Sequence, residues 1–181
     1  MTIAVALVLS ASAMRIIGGL PAAFNSARRY WVHLSLVAWE LLKLAGFFWT
    51  FWRYREAEWI FPTFLLLLAS TGITYFNACA LVSEDSPSVE SWDDDCYSVR
   101  TRYFVGVGCW TISVAALASV VQSMPLMHPV RSIQLSMVVL AILGATSSSR
   151  QLHSVIALFV LALTAVSSVT VALNPDPLGA R

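Results

Sequence analysis

Charge is scarce in this chain and nearly cancels. Asp, Glu, Lys and Arg make up 12% of its 181 residues and leave a net charge of +1. A water-soluble domain needs more polar surface than that to cover a core, and here 58% of the residues are hydrophobic, so a soluble globular fold is excluded. Lys and Arg nowhere cluster in the way that grips phosphates, which argues against nucleic acid as a partner. The three cysteines, Cys79, Cys96 and Cys109, show no Cys-x-x-Cys or Cys/His spacing, so no metal and no cofactor is expected from them. Internal repeats are missing too, which removes support for a transporter built from inverted halves. No serine or cysteine stands in a nucleophile setting, and no carboxylate pair is placed for acid–base work on a substrate.

What the chain has instead is six long apolar stretches joined by short polar connectors. About 20 apolar residues make one crossing, so the expected fold is all-α: a polytopic transmembrane helix bundle of six spans in one membrane domain. The spans read as residues 2–24, 30–51, 59–82, 103–124, 132–147 and 151–173. The count falls to five if the first, interrupted by Arg15, Gly18, Gly19 and Pro21, only lies in the interface. Residues 1–13 end in Ala11-Ser12-Ala13, an imitation of a secretory cleavage site. The basic residues follow that apolar run rather than precede it, so an uncleaved span is expected. Trp31 at one end of the second span and Trp49 with Trp52 at the other have the spacing of aromatic belts at two interfaces.

Residues 83–102 form the one long polar connector and hold Glu84, Asp85, Glu90, Asp93, Asp94 and Asp95. A run of like charges of this kind, without the spaced ligands and central glycine of a calcium loop, reads as a solvated acidic loop. Six spans place Arg28, Arg29, Arg100, Arg102 and Arg150 on one side and Arg53, Arg55, Arg131 and Arg181 on the other. The excess puts the acidic loop in the cytoplasm and both termini outside. Cys79 and Cys96 then face the reducing side and are expected as free thiols.

Ionisable residues inside a span are costly and mark sites until a partner explains them. The second span carries His33, Glu40 and Lys43, spaced by seven and three, so they project from related sides of one helix. Two readings stay open. Glu40 pairs internally with Lys43, or with Arg15 so as to staple the first two spans; or Glu40 and His33 handle protons or cations, with Lys43 and Asn77 as companions. Thr63, Ser70, Thr74 and Asn77 share a face of the third span, and hydrogen bonding from these to neighbouring helices is the ordinary use of such groups. Gly106, Gly108, Ala115, Ser119 and Ser123 on the fourth span predict close helix contact. His128, between prolines in a connector, and His153, at a helix end, read as interfacial polar residues.

The order Tyr30-Trp31-Val32-His33, Glu58-Trp59 before Phe64-Leu65-Leu66-Leu67-Leu68, Arg102-Tyr103-Phe104, and Ser148-Ser149-Arg150 with His153 resembles a group of uncharacterised bacterial multi-span membrane proteins. The resemblance covers most of the chain from Arg28 onward. It implies a bacterial inner (cytoplasmic) membrane setting and no particular chemistry. Glu40 and Lys43 are not features of that group.

With so little mass outside the membrane, the expected role is non-enzymatic: a structural or accessory protein that meets membrane lipid and assembles with itself or with a larger membrane complex. A small oligomeric channel or transporter for ions, protons or a small solute is the alternative, and a membrane enzyme acting on lipid or quinone the third.

Overall fold

A computed structural model describes residues 2–25, 29–53, 59–82 and 91–173. These residues form six helices and no strand: α1 (Thr2–Ala23), α2 (Trp31–Arg53), α3 (Phe61–Leu81), α4 (Trp92–Val121), α5 (Pro129–Thr146) and α6 (Arg150–Leu173). Five of them, α1 to α5, are long and apolar enough to cross a membrane. Ile3, Met14, Phe61, Leu135 and Phe159 point outward on the bundle surface, an arrangement that is stable only where the surroundings are themselves apolar.

α1 runs unbroken through Arg15 and both glycines. Pro21 falls in its last turn, and buried Gly19 brings the backbone against the Val82 side chain, which a methyl group there would overlap. Trp31 and Trp49 are both exposed and stand eighteen residues apart on α2, about 27 Å at the helical rise. The side chains of Trp52 and Arg53, and residues Arg28, Arg55, Glu84, Asp85, Glu90 and Arg181, lie outside what the structure describes.

The acidic connector is shorter than the sequence predicts. Helix α4 begins at Trp92, not near residue 103, and covers 30 residues, or about 45 Å at 1.5 Å per residue. The cause is a start signal masked by composition. Ser91 is the N-cap, with its side chain accepting from the Asp94 amide, and Asp93, Asp94 and Asp95 occupy the first turn, where carboxylates favour the positive end of the helix dipole. A proline signal moves the next boundary as well: α5 starts at Pro129 with His128 as N-cap, whereas the polarity pattern starts it near residue 132. His128 is therefore a capping residue, its Nδ1 accepting from the Val130 amide at 3.3 Å.

Taking each helix with its principal neighbours, the six form a ring in the order α1, α3, α4, α5, α6, α2, closing back on α1, and α2 also reaches α3 and α4 across the interior. Small residues set the spacing around α4. A methyl group on Gly106 would overlap the Asn77 side chain of α3, one on Gly144 of α5 would come within 2.7 Å of the Phe104 ring, and one on Gly108 would lie 3.5 Å from Ala141. α4 is thus clasped closely on both flanks, as small residues permit in apolar surroundings.

Candidate functional site

Residues 33, 40 and 43 of α2 and residues 92, 103 and 110 of α4 recur at helical spacings, seven and three on one side, eleven and seven on the other, so each set forms a stripe. The two stripes meet. His33 stacks on Trp92 with ring centroids 4.4 Å apart and planes 17° from parallel. Tyr103 donates its hydroxyl to Glu40 Oε2 at 3.2 Å. Lys43 Nζ lies 2.6 Å from Glu40 Oε1 and sits over two indole rings, 4.6 Å from the centroid of Trp110 and 5.2 Å from that of Trp39. Phe47 closes the end of the seam, edge-on to Trp110 at 6.0 Å. Every ionisable side chain of α2 whose surroundings are described is therefore answered by an aromatic side chain of α4.

Burial is complete. Glu40 and His33 are 0% exposed and Lys43 is 6% exposed. An uncompensated charge at such depth costs about 2.5–3.5 kcal/mol or more, and here each charge has a partner. Lys43 Nζ keeps both a carboxylate and two ring faces, a geometry in which desolvated cation–π contacts add about 2 kcal/mol. Of the two pairings open in the sequence, the structure has Glu40 with Lys43. Arg15 instead donates through Nε to the Val82 carbonyl at 3.2 Å.

His33 is engaged with the backbone through one ring nitrogen. Its Nε2 donates to the carbonyl of Leu81, the last residue of α3, at 2.9 Å, while Nδ1 has no partner among the described residues. The contact belongs to a pattern at this end of the bundle, where helices end among apolar side chains and their last carbonyls need donors. Trp92 Nε1 serves Ala22 at 3.1 Å. Thr101 Oγ1 serves Ala145 at 3.1 Å and Arg100 Nε serves Ser147 at 3.2 Å. His153 lies with Nε2 at 3.1 Å from the Gly144 carbonyl and Nδ1 at 2.9 Å from that of Ser149. It is 3% exposed, so it is a buried clasp between α5 and α6 rather than an interfacial residue. At the other end Arg131 makes the equivalent clasp, reaching Ala115, Ser119, Met124 and Gln134.

His33→Phe keeps a ring on Trp92 but removes the donor from Leu81, so it is expected to destabilise the bundle by about 1–3 kcal/mol. Titration of detergent-solubilised protein with dodecyl sulfate measures this; a variant as stable as the parent would remove His33 from the capping role.

Among the described residues, the hydroxyls of the polar face of α3 donate within their own helix or to its N-cap. Thr63, Ser70 and Thr74 are buried, yet their hydroxyls donate to Ile60, Leu66 and Ser70 carbonyls one turn back, the local alternative always open to Ser and Thr in a helix. Asn77 is 0% exposed, and both of its amide atoms lack partners among the described residues. Cys79, Cys96 and Cys109 are free. Among the described residues no group of three His, Cys, Asp or Glu is placed to hold a metal ion. An open apolar groove of about 290 Å³, lined by Trp59, Ile60, Phe61 and Phe64, lies at the start of α3, toward the opposite end of the bundle from His33.

The stripe of α2 was readable from spacing, and its aromatic partners were not. A signal for them exists in Trp92, Tyr103 and Trp110 at helical intervals, but it points nowhere until α4 is known to begin at Trp92. Comparison with family models, with curated proteins and with solved structures gives no match. The chain is therefore placed by its architecture alone, an all-helical bundle with membrane-spanning helices, and its role rests on the residues themselves.

Proposed function

We propose that this chain is a non-enzymatic integral protein of a bacterial inner membrane that works by association, with further copies of itself or with a larger membrane complex. Helical spans, as opposed to the closed barrels of outer membranes, support the inner-membrane setting. The internal chemistry of the bundle supports a structural role. The Glu40–Lys43 pair is neutralised within one helix and walled by rings, and the hydroxyls of α3 are consumed by their own backbone.

The observation that carries the reading is the outer face of α1. Ala4, Ala11 and Gly18 recur every seven residues and are exposed, as are Leu7 and Met14 between them, and among the described residues no atom outside the helix lies within 4 Å of the position a Gly18 methyl would take. Small residues at a seven-residue interval with larger apolar ones between them form the seam on which membrane helices approach closely.

Extraction in a mild detergent followed by light scattering is expected to give a particle whose protein mass is a multiple of 19.8 kDa or includes a stoichiometric partner. Ala11→Leu with Gly18→Leu fills the seam and is expected to return the chain to a monomer while leaving its helicity intact. A wild-type protein that is monomeric and alone under those conditions would overturn the proposal.

A further inference from the structure

An ion pair that only neutralises a buried carboxylate needs one cation and nothing else. Around Lys43 Nζ there is considerably more. The carboxylate of Glu40 lies at 2.6 Å, with its second oxygen held by the Tyr103 hydroxyl at 3.2 Å, and the ring faces of Trp110 and Trp39 are presented at 4.6 and 5.2 Å. Phe47 braces Trp110 from the side. A carboxylate fixed in orientation and two indole faces, all screened from water, make up the receptor that recognises an organic ammonium ion: the carboxylate supplies charge, and the ring quadrupoles supply a surface that prefers a soft, weakly hydrated cation to a hydrated metal ion. The ammonium of Lys43 fills that receptor on an aliphatic stem from the helix that also carries Glu40 and Trp39, so the occupant is an alkylammonium tethered to the receptor's own wall.

We propose that the α2–α4 seam is an alkylammonium-binding site whose ligand in this chain is the Lys43 side chain. Cutting the tether opens the site to a free ligand of the same chemistry, a primary alkylamine of about four carbons. The site discriminates by both charge and shape. Sodium has the charge without the apolar body, and butanol has the body without the charge.

The test uses full-length Lys43→Ala in mild detergent with n-butylammonium chloride, sodium chloride and n-butanol as separate additions, read as the thermal unfolding midpoint. Butylammonium is expected to raise the midpoint with the logarithm of its concentration once that exceeds the dissociation constant, and so to recover part of what the substitution lost. Sodium chloride and butanol at equal concentration are expected to recover none of it. Glu40→Gln with Lys43→Ala has no carboxylate to satisfy and is expected to respond to butylammonium no more than to sodium, and Trp110→Leu with Lys43→Ala is expected to need severalfold more butylammonium for the same rise. If Lys43→Ala does not survive extraction unaided, extraction in butylammonium chloride is expected to yield monodisperse protein where sodium chloride yields aggregate. Equal effects of butylammonium and sodium, or an undiminished effect in the Glu40→Gln variant, would overturn the site.

Discussion

Lys43→Met is expected to destabilise the bundle by about 3–5 kcal/mol, and Glu40→Gln combined with Lys43→Met to recover most of that loss. Methionine fills the volume of the lysine stem, so packing in the seam is nearly conserved and the loss reports charge. With the ammonium gone, the Glu40 carboxylate is 0% exposed and retains one donor, the Tyr103 hydroxyl. A single hydrogen bond from a neutral donor does not offset the removal of a carboxylate from water. Gln at position 40 can still accept from Tyr103 and carries no charge, so the double variant leaves nothing uncompensated. The single variant Glu40→Gln is expected to cost less than Lys43→Met, because Lys43 then still lies over the rings of Trp39 and Trp110, whereas Glu40 has no comparable second partner. Dodecyl sulfate titration of the four proteins measures the cycle. Losses that add in the double variant would mean that the two charges do not depend on one another, contrary to their 2.6 Å separation.

That asymmetry also marks where the sequence stopped being informative. The pairing of Glu40 with Lys43 follows from a separation of three residues on a helix, and the six helices follow from long apolar runs, the second with tryptophan at both ends; both are local facts. The answering residues Tyr103, Trp110 and Trp92 come from a helix 50 or more positions away, and which face of α4 turns toward α2 is decided by the close approach at Gly106, Gly108 and Gly144. Those glycines are visible as small residues, but the neighbour each one admits is not. Start signals failed for a different reason. Three aspartates in a row weigh a hydropathy average toward loop, although after Ser91 the same three carboxylates favour a helix start. The outlet taken by the α3 hydroxyls is not legible either, because a Ser or Thr in an apolar helix has two, a neighbour or its own backbone, and periodicity cannot choose between them.

Gly144→Val is expected to cost about 1–3 kcal/mol and to push α5 away from α4. Three atoms of the Phe104 ring lie 2.7 Å from the place where the first added carbon would sit, so the ring lies flat against the glycine. The ring has little room to retreat, since Phe104 is 4% exposed and is flanked by Tyr103 and by the imidazole of His153, with centroids at 5.3 and 5.6 Å. The backbone must yield instead, and the carbonyl of residue 144 is the one His153 clasps, so displacement there also strips a donor from the end of α5. Phe104→Leu removes the obstructing ring and is expected to restore part of the stability of the Gly144→Val protein while destabilising the parent, the sign reversal that identifies a direct clash. Position can be read separately from stability. The methyl that Gly108 lacks would lie 3.5 Å from the Ala141 methyl, within the range in which two cysteines join, so the Gly108→Cys with Ala141→Cys pair is expected to oxidise readily in the parent and poorly once Gly144→Val is added. Equal rates of disulfide formation in both backgrounds would show that α5 holds its place and that the valine is absorbed elsewhere.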